Sequence, residues 1–189
     1  MAFKTIRVAG VLTALVATAA QAQAPIVGFL NPNSGACFSR DYSTSHMRSH
    51  RKQRVSGIAL IYTPMASFGG EPAQPQWDTQ NDDPNFNATL AVKLVGQRRT
   101  YYQGVNCRSP GQGSIRCVID EDGGAFTLTK TSTGLRLQNE SGFTIAPRTG
   151  NERRDLAATV RIQPDAMHRT FLLTGGNGAA CQRGWSLPR

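Results

Sequence analysis

The chain has 189 residues and a formal charge of +9, from 21 Lys and Arg against 12 Asp and Glu. That length suits one domain with an ornamented loop rather than several domains. Its four cysteines include no CxxC pair, which excludes the usual zinc frameworks.

Lys4 and Arg7 make a short positive start, followed by an uncharged apolar or small run from Val8 to Ala20 centred on Leu12, Leu15 and Val16. Ala20-Gln21-Ala22 closes it with the small-x-small pattern that signal peptidase accepts. A cut after Ala24 is disfavoured, because Pro25 would follow it. The apolar run is shorter than the roughly 20 residues a spanning helix needs. Residues 1–22 therefore read as a cleaved signal peptide, and 23–189 as one β-rich domain that is periplasmic or secreted. No later segment is long and apolar enough to span a membrane, so the expectation is a soluble or peripheral protein. Without Lys4 and Arg7 the rest is still basic, and its cations are mostly Arg, with only Lys52, Lys93 and Lys130 as lysines. Arg suits bidentate contact with carboxylates and phosphates, although a GC-rich genome produces the same bias.

Asp41 is placed to cap a short helix over Tyr42 to Lys52. On it His46 and His50, four apart, share a face with Tyr42. Imidazoles at that spacing can hold zinc or copper, with His168 the only further histidine. The glutamate of an HExxH protease is missing, and two histidines fall short of a ligand set, so no metal or cofactor is assigned. Arg48, Arg51, Lys52 and Arg54 form a basic cluster beside them, which Arg98-Arg99 and Arg153-Arg154 extend if the fold brings them to one side. Such a surface attracts lipopolysaccharide phosphates or an acidic protein. Nucleic acid is not expected, since the compartment rarely offers it and no RNP-type stacking motif is present. A solvated charge run is the plainer alternative.

Beyond the helix the periodicity becomes two. Ile58, Leu60 and Tyr62 alternate, then Ala88, Leu90, Val92 and Leu94. Between them, 64–84 reads as a long Pro/Gly/polar loop, and its Phe68 and Trp77 either fold back or make a contact surface. Tyr101, Gln103, Val105 and Cys107 share one face of a strand, as do Ile115, Cys117 and Ile119 on the next. A hairpin centred on Gln112 sets Cys107 opposite Cys117. An even number of cysteines in an exported chain reads as disulfides, which leaves Cys37 with Cys181. Asp122-Gly123-Gly124 and Ser132-Thr133-Gly134 turn the chain around Phe126 and Leu128 and into Leu135 and Leu137. Later strands are expected at Phe143–Ile145, Leu156–Ile162 and Arg169–Thr174. Short strands divided by turn residues predict an all-β antiparallel barrel or sandwich with one short N-terminal helix and two disulfides.

Other motifs stay below a signature. Asp120 to Gly124 lacks the later ligands of a calcium loop and reads as a turn. Asn87-Ala88-Thr89 and Asn139-Glu140-Ser141 match sequons, but the signal junction looks bacterial, so both are expected unmodified. No serine lies in a nucleophile elbow, and no catalytic residue is assigned.

Cys37 with Arg40 and Tyr42, then His46, His50 and Gln53-Arg54-Val55, then Tyr102, Gly104 and Cys107, then Cys117 with Gly123-Gly124-x-Phe126, resemble a group of uncharacterised exported proteins of Gram-negative bacteria. The resemblance implies a periplasmic or secreted protein and brings no activity with it. The expectation is a non-catalytic binding protein of the cell envelope, for an anionic envelope component or an acidic protein. Its contact residues are His46, Arg48, His50, Arg51 and Arg54, with Phe68 and Trp77. Two alternatives are a periplasmic inhibitor of cell-wall lytic enzymes and a metal-binding protein or metal-dependent enzyme built on His46 and His50.

Overall fold

The computed structural model describes residues 36–62, 77–78, 83–111, 113–119, 121–176 and 184–185. In chain order the elements are β1 (Ala36–Asp41), α1 (Thr44–Ser49), β2 (Val55–Tyr62), β3 (Trp77–Asp78), β4 (Asp83–Leu94), β5 (Thr100–Gly111), β6 (Ser114–Ile119), β7 (Gly124–Lys130), β8 (Gly134–Pro147), α2 (Glu152–Ala157), β9 (Val160–Ile162) and β10 (Thr170–Gly176). A 3-10 turn at Glu121–Gly123 joins β6 to β7. The strands run β10-β1-β2-β4-β5-β6-β7-β8, each antiparallel to its neighbour. β8 then pairs with β10, from Thr170 opposite Gln138 to Thr174 opposite Gly134. This closes an eight-stranded antiparallel barrel, which leaves no long open edge to pair with another chain. β3 is added at the start of β4 and β9 on the far part of β8.

Alternation decides what fills the barrel. Phe38, Ile58, Leu60, Leu90, Val92, Val105, Leu128, Leu137, Phe143 and Phe171 point inward and are almost wholly buried. Cys107 faces Cys117 across β5 and β6 and bonds to it inside this core. The sequence separation across that bridge is 10, and closing so short a loop contributes about 2–3 kcal/mol. The opposite face of β1, β2, β4 and β5 carries Cys37, Ala59, Ile61, Ala91 and Tyr102, and there Trp185 packs as a second, outer cluster. Tyr102 donates its hydroxyl hydrogen to the Trp185 carbonyl at 2.7 Å. Lys93 Nζ sits 4.0 Å from the indole centroid. Gly57 is required beneath the ring, since a Cβ there would lie 3.0 Å from the indole and 2.6 Å from Asp41 Oδ1.

Several expectations need correction. The helix is shorter than Tyr42–Lys52, and its cap is Ser43, whose side chain accepts from His46 N. Asp41 instead ends β1 and pairs with Lys93 at 3.1 Å. No α1 residue is buried, so nothing extends so short a helix beyond its local cap. The predicted strand at Leu156–Ile162 begins on a helix, since Leu156 and Ala157 end α2. Asn151 caps α2 by accepting from Arg154 N at 3.0 Å, Leu156 faces solvent, and only Val160–Ile162 pairs with β8. The loop at 64–84 contains β3 and the start of β4. Phe143–Ile145 is the far part of one long strand, β8. The Cys107/Cys117 register is the expected one, with an irregularity between Arg108 and Gly111. This is the one disulfide that joins two described residues, and Cys37 is disulfide-bonded as well. The expected signal segment, Phe68 and Cys181, and with it the expected Cys37–Cys181 pairing, lie outside the described residues.

Asn139 is buried where β8 leaves β10 and takes up β9. Its amide donates to the carbonyls of Ile162 and His168, each at 3.1 Å, and its oxygen accepts from Gly142 N at 2.9 Å. In the folded chain this sequon nitrogen is engaged. Replacing Asn139 with Leu leaves one N–H and two carbonyls without these partners, and should cost about 3 kcal/mol in chemical denaturation. A change below 1 kcal/mol would mean that water or rearranged backbone satisfies them equally well.

Candidate functional site

One end of the barrel collects the basic segments that the sequence singled out. β1 ends there and leads into α1, β2 begins there, and Val95 N donates to Arg54 O at 2.9 Å, which ties in the β4–β5 turn. β5 starts beside the end of β8, with Tyr101 opposite Pro147, and α2 follows. Topology therefore gathers Arg48, Arg51, Lys52 and Arg54 with Arg98-Arg99 and Arg153-Arg154. All eight side chains are exposed. Among the described residues none of them forms an ion pair.

Three carboxylates of this end are engaged, while Glu152 stands exposed beside Arg153 in α2. Asp41 pairs with Lys93, Asp155 accepts from Thr149 N and Oγ1, and Asp165 holds His168. Two arginines elsewhere are tied down. Arg116 pairs with Glu140 at 3.2 Å, and Arg161 donates to the carbonyls of Asp122 and Ser141, both at 2.8 Å.

The histidines brace this end. Arg40, Tyr42, His46 and His50 form a column: the Arg40 guanidinium lies 5.5 Å from the Tyr42 centroid, and the rings follow at 4.7 and 4.0 Å. Burial pushes the Tyr42 hydroxyl pKa up, with Arg40 opposing it. His46 Nε2 lies 3.0 Å from Gln53 Oε1, and the buried Gln53 amide donates to Val55 O at 2.8 Å. His50 Nδ1 faces the His46 carbonyl at 2.9 Å. His168 is 2% exposed; its Nε2 accepts from Arg54 N at 2.9 Å and its Nδ1 lies 2.8 Å from Asp165 Oδ1. An accepting Nε2 places the ring proton on Nδ1, where it is donated to Asp165. Among the described residues no group of three or more His, Cys, Asp or Glu is placed to hold a metal ion. The column and the His168 turn fix the backbone of Gln53 and Arg54, which presents the cations.

Slight desolvation raises the Asp165 pKa and is the largest single effect. Hydrogen bonds from Met167 N and from the His168 ring and N–H together outweigh it, so the carboxyl titrates below its usual 3.8. A depressed pKa contributes stability that is present above 3.8 and lost as pH falls through the folded value. Asp165→Asn should be less stable than the parent at neutral pH, with the gap in melting temperature closing in acid. A gap that persists or widens below the ordinary carboxyl range would contradict the pairing.

Comparison with protein-family models, with curated proteins and with solved structures finds no match. The site is therefore read from its own geometry. That geometry separates the two expected contact elements. Trp77 lies in β3 opposite Pro84, at the start of β4, whereas Arg54 adjoins the turn at its end. At ~3.3 Å per residue the two are about 35 Å apart, on opposite ends of the barrel. His46, Arg48, His50, Arg51 and Arg54 are brought together; Trp77 is not with them, and Phe68 lies outside the described residues.

Sequence reading missed Trp185 and the bracing role of Gln53, and left to the fold whether Arg98-Arg99 and Arg153-Arg154 join the basic cluster. Gln53 and Val55 were marked by the resemblance alone. Among the described residues no helix is long and apolar enough to cross a membrane.

Proposed function

We propose that this is an exported, non-catalytic binding protein of the bacterial cell envelope, and that the basic end of its barrel engages an anionic, phosphate-bearing component. The observation that supports the reading most directly is the convergence of three separate basic segments on one end, where none of their cations forms an ion pair among the described residues. Positive charge so concentrated attracts anions over a Debye length, and Arg suits phosphate oxygens. The histidine column holds the segment in place and takes no part in chemistry. The Cys37–Cys181 bridge belongs to the same reading. Cys37 shares the outer cluster with Trp185, to which the stretch after Cys181 leads.

Inorganic polyphosphate serves as the probe. The purified protein should bind it saturably, with affinity falling steeply as salt rises, and a variant with Arg48, Arg51 and Arg54 changed to Ser should lose that affinity. Absence of saturable binding by the parent at low salt would overturn the reading.

A further inference from the structure

The same end of the barrel carries apolar side chains that a purely electrostatic surface does not need. Three large hydrophobic side chains stand out to solvent among the described residues: Val95 at 54%, Leu156 at 67% and Leu172 at 56% exposed. Leu172 is on the barrel wall, in β10. Val95 and Leu156 are at the basic end, each close in sequence to an arginine pair, Arg98-Arg99 for one and Arg153-Arg154 for the other.

Both are held outward by local structure. Val95 heads a tight turn in which Gln97 N donates to Leu94 O at 3.1 Å and Gly96 takes φ 73°. Leu156 is on α2, which buries none of its residues and whose carbonyl at Leu156 accepts from Thr159 N at 3.2 Å. Turn and helix meet at one rim, because β5 leaves the first directly to pair with the end of β8 that leads into the second.

An apolar tip flanked by arginines is the arrangement that binds a lipid interface. The tip enters the headgroup and acyl boundary while the cations face anionic headgroups. We propose that the basic end docks on an anionic phospholipid surface, with Leu156 and Val95 inserted and the arginine pairs beside them at the phosphates. This rests on the anion-binding reading above and names the ligand's form: a bilayer surface rather than a soluble polymer or an acidic protein. A soluble polyanion engages the cations but gives the two apolar tips nothing to enter.

The test is co-sedimentation of the purified protein with vesicles of phosphatidylcholine alone or with phosphatidylglycerol added, run beside polyphosphate binding. The expected result is binding to the phosphatidylglycerol vesicles only. The doubly substituted V95S/L156S variant should lose vesicle affinity about tenfold or more and keep polyphosphate affinity and melting temperature unchanged. Equal vesicle binding by that variant and the parent would overturn the insertion. Binding to polyphosphate but not to anionic vesicles would overturn the lipid assignment and leave the anion-binding reading standing. Binding to neither would remove both.

Discussion

Trp185→Ala should lower the melting temperature by roughly 10 °C, the largest loss of stability expected from any single substitution outside the barrel interior. The indole is 2% exposed and covers Ala59, Ile61, Ala91, Tyr102 and Cys37 on the outer wall. Truncating so large a buried side chain costs about 3–5 kcal/mol, because the wall cannot collapse to fill the gap. The barrel wall is a hydrogen-bonded sheet and moves little. The substitution also removes the ring beneath the Lys93 ammonium, a contact worth about 0.5–1 kcal/mol at an exposed site. Tyr102 bonds to the backbone carbonyl of Trp185, so part of the clasp survives. A melting temperature within a degree or two of the parent would mean that the outer cluster contributes little and that the barrel stands without it.

The second large effect is on binding. Serine at positions 48, 51 and 54 removes three exposed cations and no buried contact, so melting should be unchanged. At about 1 kcal/mol for each cation near an anionic surface, polyphosphate affinity should fall about 100-fold. The parent's own salt dependence should flatten in the variant, because fewer counterions are exchanged. The matching control takes Arg108 and Arg136 to Ser. These exposed arginines lie toward the opposite end, on β5 and at the start of β8. That pair should bind as the parent does. Equal losses in the two variants would show that net charge, not the basic end, governs binding.

The barrel was legible where side chains alternate between its interior and its outer wall. Ile58, Leu60 and Tyr62, and Ala88 to Leu94, alternate because the barrel interior takes every second residue. Cys107 and Cys117 fixed their own register, since a slip of one residue would turn the cysteines to opposite faces. The pattern misled at Leu156, which stands out to solvent while Val160 and Ile162 pack on the barrel core. Leu156, Val160 and Ile162 keep the period of a strand, yet Asn151 caps a helix through the first of them. Trp185 left no periodic signal, because a single ring on the outer wall belongs to no stripe. The length of β8 was hidden by Asn139 to Gly142, where the register shifts against β7 and Gly142 takes φ 86°.

The site was half legible. Each basic cluster could be read from the chain, as could the shared face of His46, His50 and Tyr42. That three clusters meet at one end follows from strand pairing, which no local spacing encodes. Trp77 was set beside them only because both looked like contact elements. The pairing of β3 with the start of β4 sends it to the other end.

The most direct test of the central claim is amide hydrogen exchange, followed with and without polyphosphate. The account predicts added protection in α1 and the segment to Arg54, in the β4–β5 turn and in α2, and no change at β3 or in the β5–β6 and β7–β8 turns. Protection confined to β3 and the start of β4, or spread evenly over the barrel, would contradict it.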